Sequence, residues 1–434
     1  MRVYIKALGC KLNQSEAESW ARRLGTTGCE IVDSPEHADL CLINTCTVTH
    51  IAARKSRQAV RRCSRSNSQA SVVVTGCYAE TCPSEASRLP GVRRVLRMEE
   101  KGRLVELVTE EHALWRPDLA LNTRTERELG SRSAPRARTR AFVKIQDGCD
   151  HACTYCIVRI ARGRQRSRSR SDILEEILAR QSERYQEIVL TGVHIGAYGR
   201  EHGDSLANLV GAILAGASLP RLRLSSIEPQ DLPDVLPMWA DSRLCRHLHL
   251  PLQSGCDTVL QRMNRMYTTE QYAGLVYQAR SAIADLAITT DVIVGFPGET
   301  EQEFEASAEF VRRMRFARIH VFPFSARVGT QAATMPHQVS PSVKKQRVRI
   351  MVAIARIGAL GFRRRFLGST VDVLWETTKD DGWTGLTDNY LRVWTQSAQD
   401  LRNRILPAHL DRLGDDGLCG TLVWEHASRS GTPD

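Results

Sequence analysis

The chain of 434 residues is 42% hydrophobic and 25% charged, enough apolar content to bury a sizeable core split between two or three domains. Lys and Arg number 60 against 49 Asp and Glu, and the formal net charge of +11 favours a polyanionic partner over an acidic one. No apolar run reaches the roughly 18 residues of a membrane span, and MRVYIKALGC lacks the features of a secretory signal, so the sequence reads as cytoplasmic with no membrane partner.

Along the first segment, expected to span 1–122, the apolar runs RVYIKALG, ADLCLINTC and SVVVTGC read as strands. Between them SEAESWARRLG and AARKSRQAVRR read as helices, and this alternation predicts an open α/β sheet of Rossmann-like type. The 13 cysteines, an odd number at irregular spacing, suggest metal ligands and buried thiols rather than disulfides. Cys10, Cys46 and Cys77 each end or follow a predicted strand, so three distant thiols can meet at one edge of the sheet. Any one of them alone could be a core residue; three at equivalent strand ends point to a shared three-cysteine site. The other cysteines outside the motif below show no such pattern.

A basic stretch over 123–138, rich in Ser, Gly and Pro, reads as a linker. From 139 to 365 six strand-like runs follow: AFVKIQ, EIVLTG, RLRLSS, HLHLPL, AITTDVIVG and ARIHVFPF. Helical stretches separate them, one with a start signal at Asp172 and Glu175. Six βα units predict a partial (β/α)6 barrel, the alternative being a doubly wound open sheet. In a barrel the turns after the strands converge on one mouth, and the turn after the first strand holds Cys149, Cys153 and Cys156 in DGCDHACTYC. From about 366 to 428 the runs TVDVLWE, LRVWTQ, NRILPAHL and CGTLVWE predict a small all-β barrel, locally acidic at TTKDDG and LGDDG.

Structural zinc takes four ligands, and here only His151 is at hand to complete a Cys3His set. Three closely spaced thiolates also suit three irons of a cubane cluster, which leaves the fourth iron open.

CDHACTYC resembles the CxxxCxxC signature of radical S-adenosylmethionine enzymes, including Tyr155 before the last cysteine. The resemblance implies a [4Fe-4S] cluster whose open iron binds S-adenosylmethionine and, by one-electron reduction, yields a 5'-deoxyadenosyl radical. Glycines of LTGVHIG and GFPGET, Gly192 and Gly298 among them, would allow close backbone approach to the cofactor. Position at the mouth also nominates Glu228, Gln253, Arg280 and Glu299 for cofactor contacts.

With GCKLNQSE, NTCTVT, TGCYAE, HLHLPLQSG and TDVIVGFPGET, nearly the whole chain resembles the methylthiotransferases of that superfamily, which end in a TRAM domain. The family implies a second [4Fe-4S] cluster on Cys10, Cys46 and Cys77 that carries the sulfur to be transferred. NTCTVTHIAARKSRQAVRR resembles the branch acting on N6-threonylcarbamoyladenosine beside the tRNA anticodon; other branches act on isopentenyladenosine or on a ribosomal protein. The implied reaction uses two S-adenosylmethionine molecules and places methylthio on C2 of the adenine. It needs tRNA through its anticodon stem-loop, an electron donor and a sulfur donor. Arg162, Arg164, Arg166, Arg312, Arg313, Lys344, Lys345 and Arg363 are the candidates for RNA phosphate contacts, because the segment from Arg312 to Arg365 contains no Asp or Glu. A noncatalytic zinc-stabilised RNA-binding protein is the competing reading of the same basic surface.

Overall fold

The computed structural model describes residues 1–115, 139–379 and 382–423; the linker expected at 123–138 lies outside them. The N-terminal segment alternates β1 (Arg2–Ala7), α1 (Lys11–Thr26), β2 (Glu30–Val32), β3 (Leu40–Thr45), α2 (His50–Ser66), β4 (Ser71–Gly76), α3 (Cys77–Thr81), α4 (Pro83–Ser87), β5 (Val92–Val95) and α5 (Leu104–Trp115). Its parallel sheet runs in the order β2-β1-β3-β4-β5. Every residue of β3 and β4 is buried, as continuous apolar runs in a sheet covered on both faces must be. On one face Trp20 and Leu24 of α1 pack with Leu104 and Val108 of α5; on the other Ala53, Val60 and Cys63 of α2 pack with Cys41 and Tyr78. The open α/β expectation holds, with two short strands, β2 and β5, added.

The second segment contains β6 (Arg140–Lys144), β7 (Gln146–Asp147), α6 (Val158–Arg162), β8 (Arg166–Ser167), α7 (Arg170–Ser182), β9 (Glu187–Thr191), α8 (Leu206–Gly216), β10 (Arg221–Leu224) and α9 (Leu232–Val235). It continues with β11 (His247–His249), α10 (Asp257–Arg262), α11 (Thr269–Ala282), β12 (Ala287–Val294), α12 (Glu301–Met314), β13 (Arg318–Pro323) and α13 (Pro341–Arg364). Parallel sheets β6-β9-β10 and β11-β12-β13 are joined by the bridges Leu222–Leu244 and Ser226–His249. Six strands therefore form the expected partial barrel, and α1 lies against its open edge, where Ser15 Oγ donates to Phe142 O at 2.9 Å. Helix α7 starts earlier than expected, capped by Ser169, whose Oγ accepts from Asp172 N, and not by Asp172 itself. Serine suits that position because its short side chain reaches the free amides of the first turn.

Strands β14 (Thr370–Lys379), β15 (Gly382–Thr387), β16 (Arg392–Gln396), β17 (Ile405–Gly414) and β18 (Gly417–Leu422) close a small barrel. It is docked on the N-terminal ends of the large barrel's strands. Arg140 pairs with Glu376 at 2.8 Å and Arg246 with Asp388 at 2.7 Å. Buried Arg223, paired with Glu187 at 2.6 Å, lies 3.8 Å from the Tyr390 ring centroid. Two acidic groups of the small barrel are thus committed to the interface. No described helix is long and apolar enough to cross a membrane.

Candidate metal centres

Cys10 precedes α1, Cys46 directly follows β3 and Cys77 opens α3 directly after β4. Their strands are neighbours in register, Ala7 beside Asn44 and Thr45 beside Gly76, so parallel pairing alone brings the three strand ends to one edge. Gly9, at φ +88°, permits this approach: a Cβ there would stand 2.6 Å from Cβ and Sγ of Cys46. Ser56 Oγ accepts from Cys46 N at 3.0 Å, fixing the loop. Cys10 is exposed, while Cys46 and Cys77 are buried. Burial, with the nearby Cys77 and Cys10, pushes the Cys46 thiol up to about 11. Cys77 is also pushed up by burial, against the pull of Arg162 and Lys101. Metal binding there must release protons.

Cys149, Cys153 and Cys156 lie on the loop after β6 and β7, all partly buried. Gly148, at φ +68°, opens that loop, and a Cβ on it would fall 1.9 Å from Arg164 O. Thr154 pins the loop, its N donating to Met263 O at 3.1 Å and its Oγ1 to Arg262 O at 2.9 Å. Tyr155 packs against the cluster of Val259, Met263, Phe296, Phe324 and Ala332. Arg265, ion-paired with Glu228, reaches Cys153 Sγ at 3.5 Å. Burial pushes Cys156 up to about 12.

Zinc bonded at about 2.3 Å would draw its thiolates together. Among the described residues, the set whose ligand atoms lie within 4.8 Å of one another is Cys149, His151 and His194, not three thiols with His151. Three thiols on one loop with no fourth cysteine beside them suit three irons of one cluster.

Sequence reasoning missed His194, Asp231 and Arg265. His194 Nε2 is 2.6 Å from Asp231 Oδ2, its Nδ1 is 4.0 Å from Cys149 Sγ, and Arg200 holds the other Asp231 oxygen at 2.6 Å. Burial alone would depress the His194 ring, but hydrogen bonds with Asp231 and Cys149 carry it up to about 9. The position of His194 after a strand, in GVHIG, was the available signal; Arg265 follows a helix and had none.

The nominated cofactor positions divide. Gly192, Glu228, Gln253 and Gly298 all follow barrel strands; Gln253 is held at φ +66°, its N donating to Asp291 O at 2.8 Å. A Cβ on Gly192 would come within 3.0 Å of Gln146 O and of Ile195 at 2.9 Å. Glu299 is at the mouth too, but its carboxylate is buried, accepting from Gly295 N at 2.6 Å and Arg347 at 2.7 Å, so it holds its own loop. Arg280 is a correction: it donates to Met314 O and Arg315 O at the end of α12, remote from the mouth, because helices in βα units run back from it.

The RNA candidates divide as well. Arg162 is a correction: it is 3% exposed and donates to Asn13, Glu16 and Asp147. Lys344 is turned to Phe324 O, and Arg363 to carbonyls of Gly414 and Asp415 in the small barrel, so both serve packing. Arg312 and Arg313 are exposed on the last turn of α12, at the end opposite the mouth. Arg164, Arg166 and Lys345 are exposed. The two cysteine sites adjoin, since α6, which starts just after Cys156, packs on α3, which starts at Cys77.

Residues 143–311 match the model of the radical SAM superfamily, and residues 2–96 that of the uncharacterized protein family UPF0004. The chain is 36% identical over 425 residues to threonylcarbamoyladenosine tRNA methylthiotransferase MtaB of Bacillus subtilis, covering 95% of this chain and 94% of that protein. It is 34% identical to tRNA-2-methylthio-N(6)-dimethylallyladenosine synthase of Syntrophotalea carbinolica, covering 94% of this chain and 96% of that protein. Among solved structures, the radical S-adenosylmethionine methyltransferase TsrM of Kitasatospora setae shares the fold at TM-score 0.55 and 15% identity, over 76% of this chain and 77% of that one.

Proposed function

Because this chain belongs to the radical S-adenosylmethionine tRNA methylthiotransferases, we propose that it converts N6-threonylcarbamoyladenosine beside the tRNA anticodon to its 2-methylthio derivative. The observation that carries the reading is the adjoining pair of three-cysteine sites, each at the C-terminal edge of its own parallel sheet. The cofactors are two [4Fe-4S] clusters and S-adenosylmethionine: held by Cys149, Cys153 and Cys156, the first supplies reductive cleavage of the sulfonium, and the second, held by Cys10, Cys46 and Cys77, supplies sulfur.

The remaining work belongs to the chain's own residues. Arg265 places positive charge beside Cys153, and Arg162 does so beside Cys77, which favours thiolates at both sites. Tyr155 anchors the barrel loop, while Gly192, Glu228, Gln253, Gly298 and Glu299 shape the wall where the cofactor lies. Arg164 and Arg166 hold RNA phosphates. We assign domains to 1–122, 139–365 and 366–428, with 123–138 as linker; residues 116–138, 380–381 and 424–428 fall outside those described. The reaction requires an external one-electron donor and a sulfur donor, in the cytoplasm where tRNA is present.

The test incubates anaerobically reconstituted protein and S-adenosylmethionine with threonylcarbamoylated or isopentenylated tRNA, followed by mass spectrometry of the nucleosides. Methylthio product on the former alone is expected. Product on the isopentenylated tRNA alone, or on neither with iron and sulfide verified, overturns the substrate assignment.

A further inference from the structure

Helix α2 carries charge that the two cysteine sites do not use. It holds Arg54, Lys55, Arg57, Arg61, Arg62 and Arg65, without one Asp or Glu. Its buried stripe, Ala53, Ser56, Val60 and Cys63, faces the sheet, so Arg54, Lys55, Arg61, Arg62 and Arg65 stand on the solvent side. Arg57 is drawn toward Glu85 at 4.0 Å and lies over the Tyr78 ring. Among the described residues no carboxylate pairs with Arg54, Lys55, Arg61 or Arg62. Like charges three and four apart on a helix repel, and a bound polyanion relieves that repulsion.

The helix also starts at the right place. Thr49 caps it, just after Cys46. His50 N donates to Ser325 Oγ at 3.2 Å and Arg327 reaches His50 Nδ1 at 3.3 Å, so the loop after β13 is fastened to its first turn. Around this seam four apolar side chains face solvent: Val48, Ile51, Ile160 and Val328, the last 95% exposed. Ile160 belongs to α6, just beyond Cys156, and its Cδ1 is 3.0 Å from where a Cβ on Gly329 would lie. An apolar lip therefore borders both cysteine sites, and a basic helix of on the order of 25 Å leads away from it.

We propose that α2 is the docking rail for the phosphates of the RNA stem next to the modified loop, and that the Val48, Ile51, Ile160 and Val328 lip receives the unstacked bases of that loop. This rests on the tRNA reading above and locates its surface. Phosphates supply affinity and register, while unstacked bases are held on apolar and aromatic faces. The rail lies on the N-terminal domain; the small β-barrel, docked on the N-terminal ends of the large barrel's strands, reaches that domain where Lys11 Nζ donates to the Tyr390 hydroxyl at 3.4 Å.

The experiment measures binding of a threonylcarbamoylated anticodon stem-loop RNA to the reconstituted full-length protein by fluorescence anisotropy across a salt series. In the variant R54E/K55E/R61E/R62E, Kd should rise by roughly 30-fold or more, and the slope of log Kd against log salt should fall by about 2 to 3. R54Q/K55Q/R61Q/R62Q should give a smaller loss in the same direction, and serves if charge reversal prevents folding, scored by thermal midpoint and iron content. R312E/R313E, at the far end of the barrel, should stay within about twofold of wild type. Equal losses at both surfaces would show that net charge and not this helix binds RNA. Unchanged Kd in both α2 variants, while wild type still modifies threonylcarbamoylated tRNA, would overturn the rail and leave the function standing; wild type that binds no RNA overturns both.

Discussion

Arg162 and Glu16, from different domains, meet at 3.2 Å where their side chains are only 2% and 6% exposed. Lys101 joins Glu16 at 2.6 Å, and Lys144 joins both Glu16 at 3.2 Å and Asp147 at 2.9 Å. Three cations thus face two carboxylates, and the surplus positive charge lies near Cys77 and Cys10. Removing Arg162 leaves buried Asn13, Glu16 and Asp147 each short of a donor, at a cost of about 3–5 kcal/mol. Arg162→Met should lower the unfolding free energy obtained from urea titration by that amount and reduce iron at the N-terminal site. Arg162→Lys keeps the charge, loses the fork that spans Asn13, Glu16 and Asp147, and should fall between. An Arg162→Met protein as stable as wild type would refute the interdomain role.

The two cysteine sets should separate by substitution. Cys153→Ala should abolish cleavage of S-adenosylmethionine to 5'-deoxyadenosine; Cys46→Ala should retain cleavage and lose sulfur insertion. Each should take iron from roughly eight to roughly four per chain. Cleavage surviving in Cys153→Ala would remove the barrel loop from the chemistry, and insertion surviving in Cys46→Ala would misplace the sulfur source.

Gly9 is the position where backbone conformation and close approach act together. A side chain there has φ +88° to adopt and Cys46 at 2.6 Å to displace. Gly9→Ala should cost about 1–3 kcal/mol and lower iron only at the N-terminal site, with 5'-deoxyadenosine formation retained. Electron paramagnetic resonance of the reduced protein reads this directly: loss of the barrel-loop signal instead would mean the damage is global.

Most strands of the three parallel sheets are legible because buried strands are short runs rich in apolar residues, and the cysteines are legible because each site follows one. Strands β2 and β5 are the two edges of their sheet and only half-buried, so EIV and VRRV carry no buried apolar run to mark them. Strand β15 leaves little pattern because GWTGLT carries two glycines, which in the fold admit Trp394 and Leu374 at close range. The placement of charge is the least legible feature. Nothing local distinguishes Arg162 from Arg164, since the former is buried by Asn13 and Glu16 from far along the chain. Arg280, Arg312 and Arg313 could have been placed correctly from the βα pattern, since helix ends in such units lie away from the mouth. The basic run in AARKSRQAVRR was visible, but which face of that helix meets solvent is decided by the sheet it packs on.

Glu303 offers a test of pH dependence away from the cysteines. It caps α12 in a reciprocal pair with Thr300 and ties that helix to α10 through Arg262 at 2.7 Å. The Arg262 hydrogen bond is the largest cause that lowers its carboxyl, from 4.5 to about 2. A carboxyl lowered by folding contributes stability that is fully present above its unfolded value and is lost as pH falls through the folded one. Wild type should therefore exceed Glu303→Gln by about 1 kcal/mol at neutral pH, and the gap should close between roughly pH 4.5 and 2. Glutamine can still accept at the helix start, so the part that titrates is the pairing with Arg262. Urea midpoints measured at several pH values decide it: a gap that does not change with pH would mean that Glu303 acts through its cap alone, and a gap that widens in acid would contradict the assigned shift.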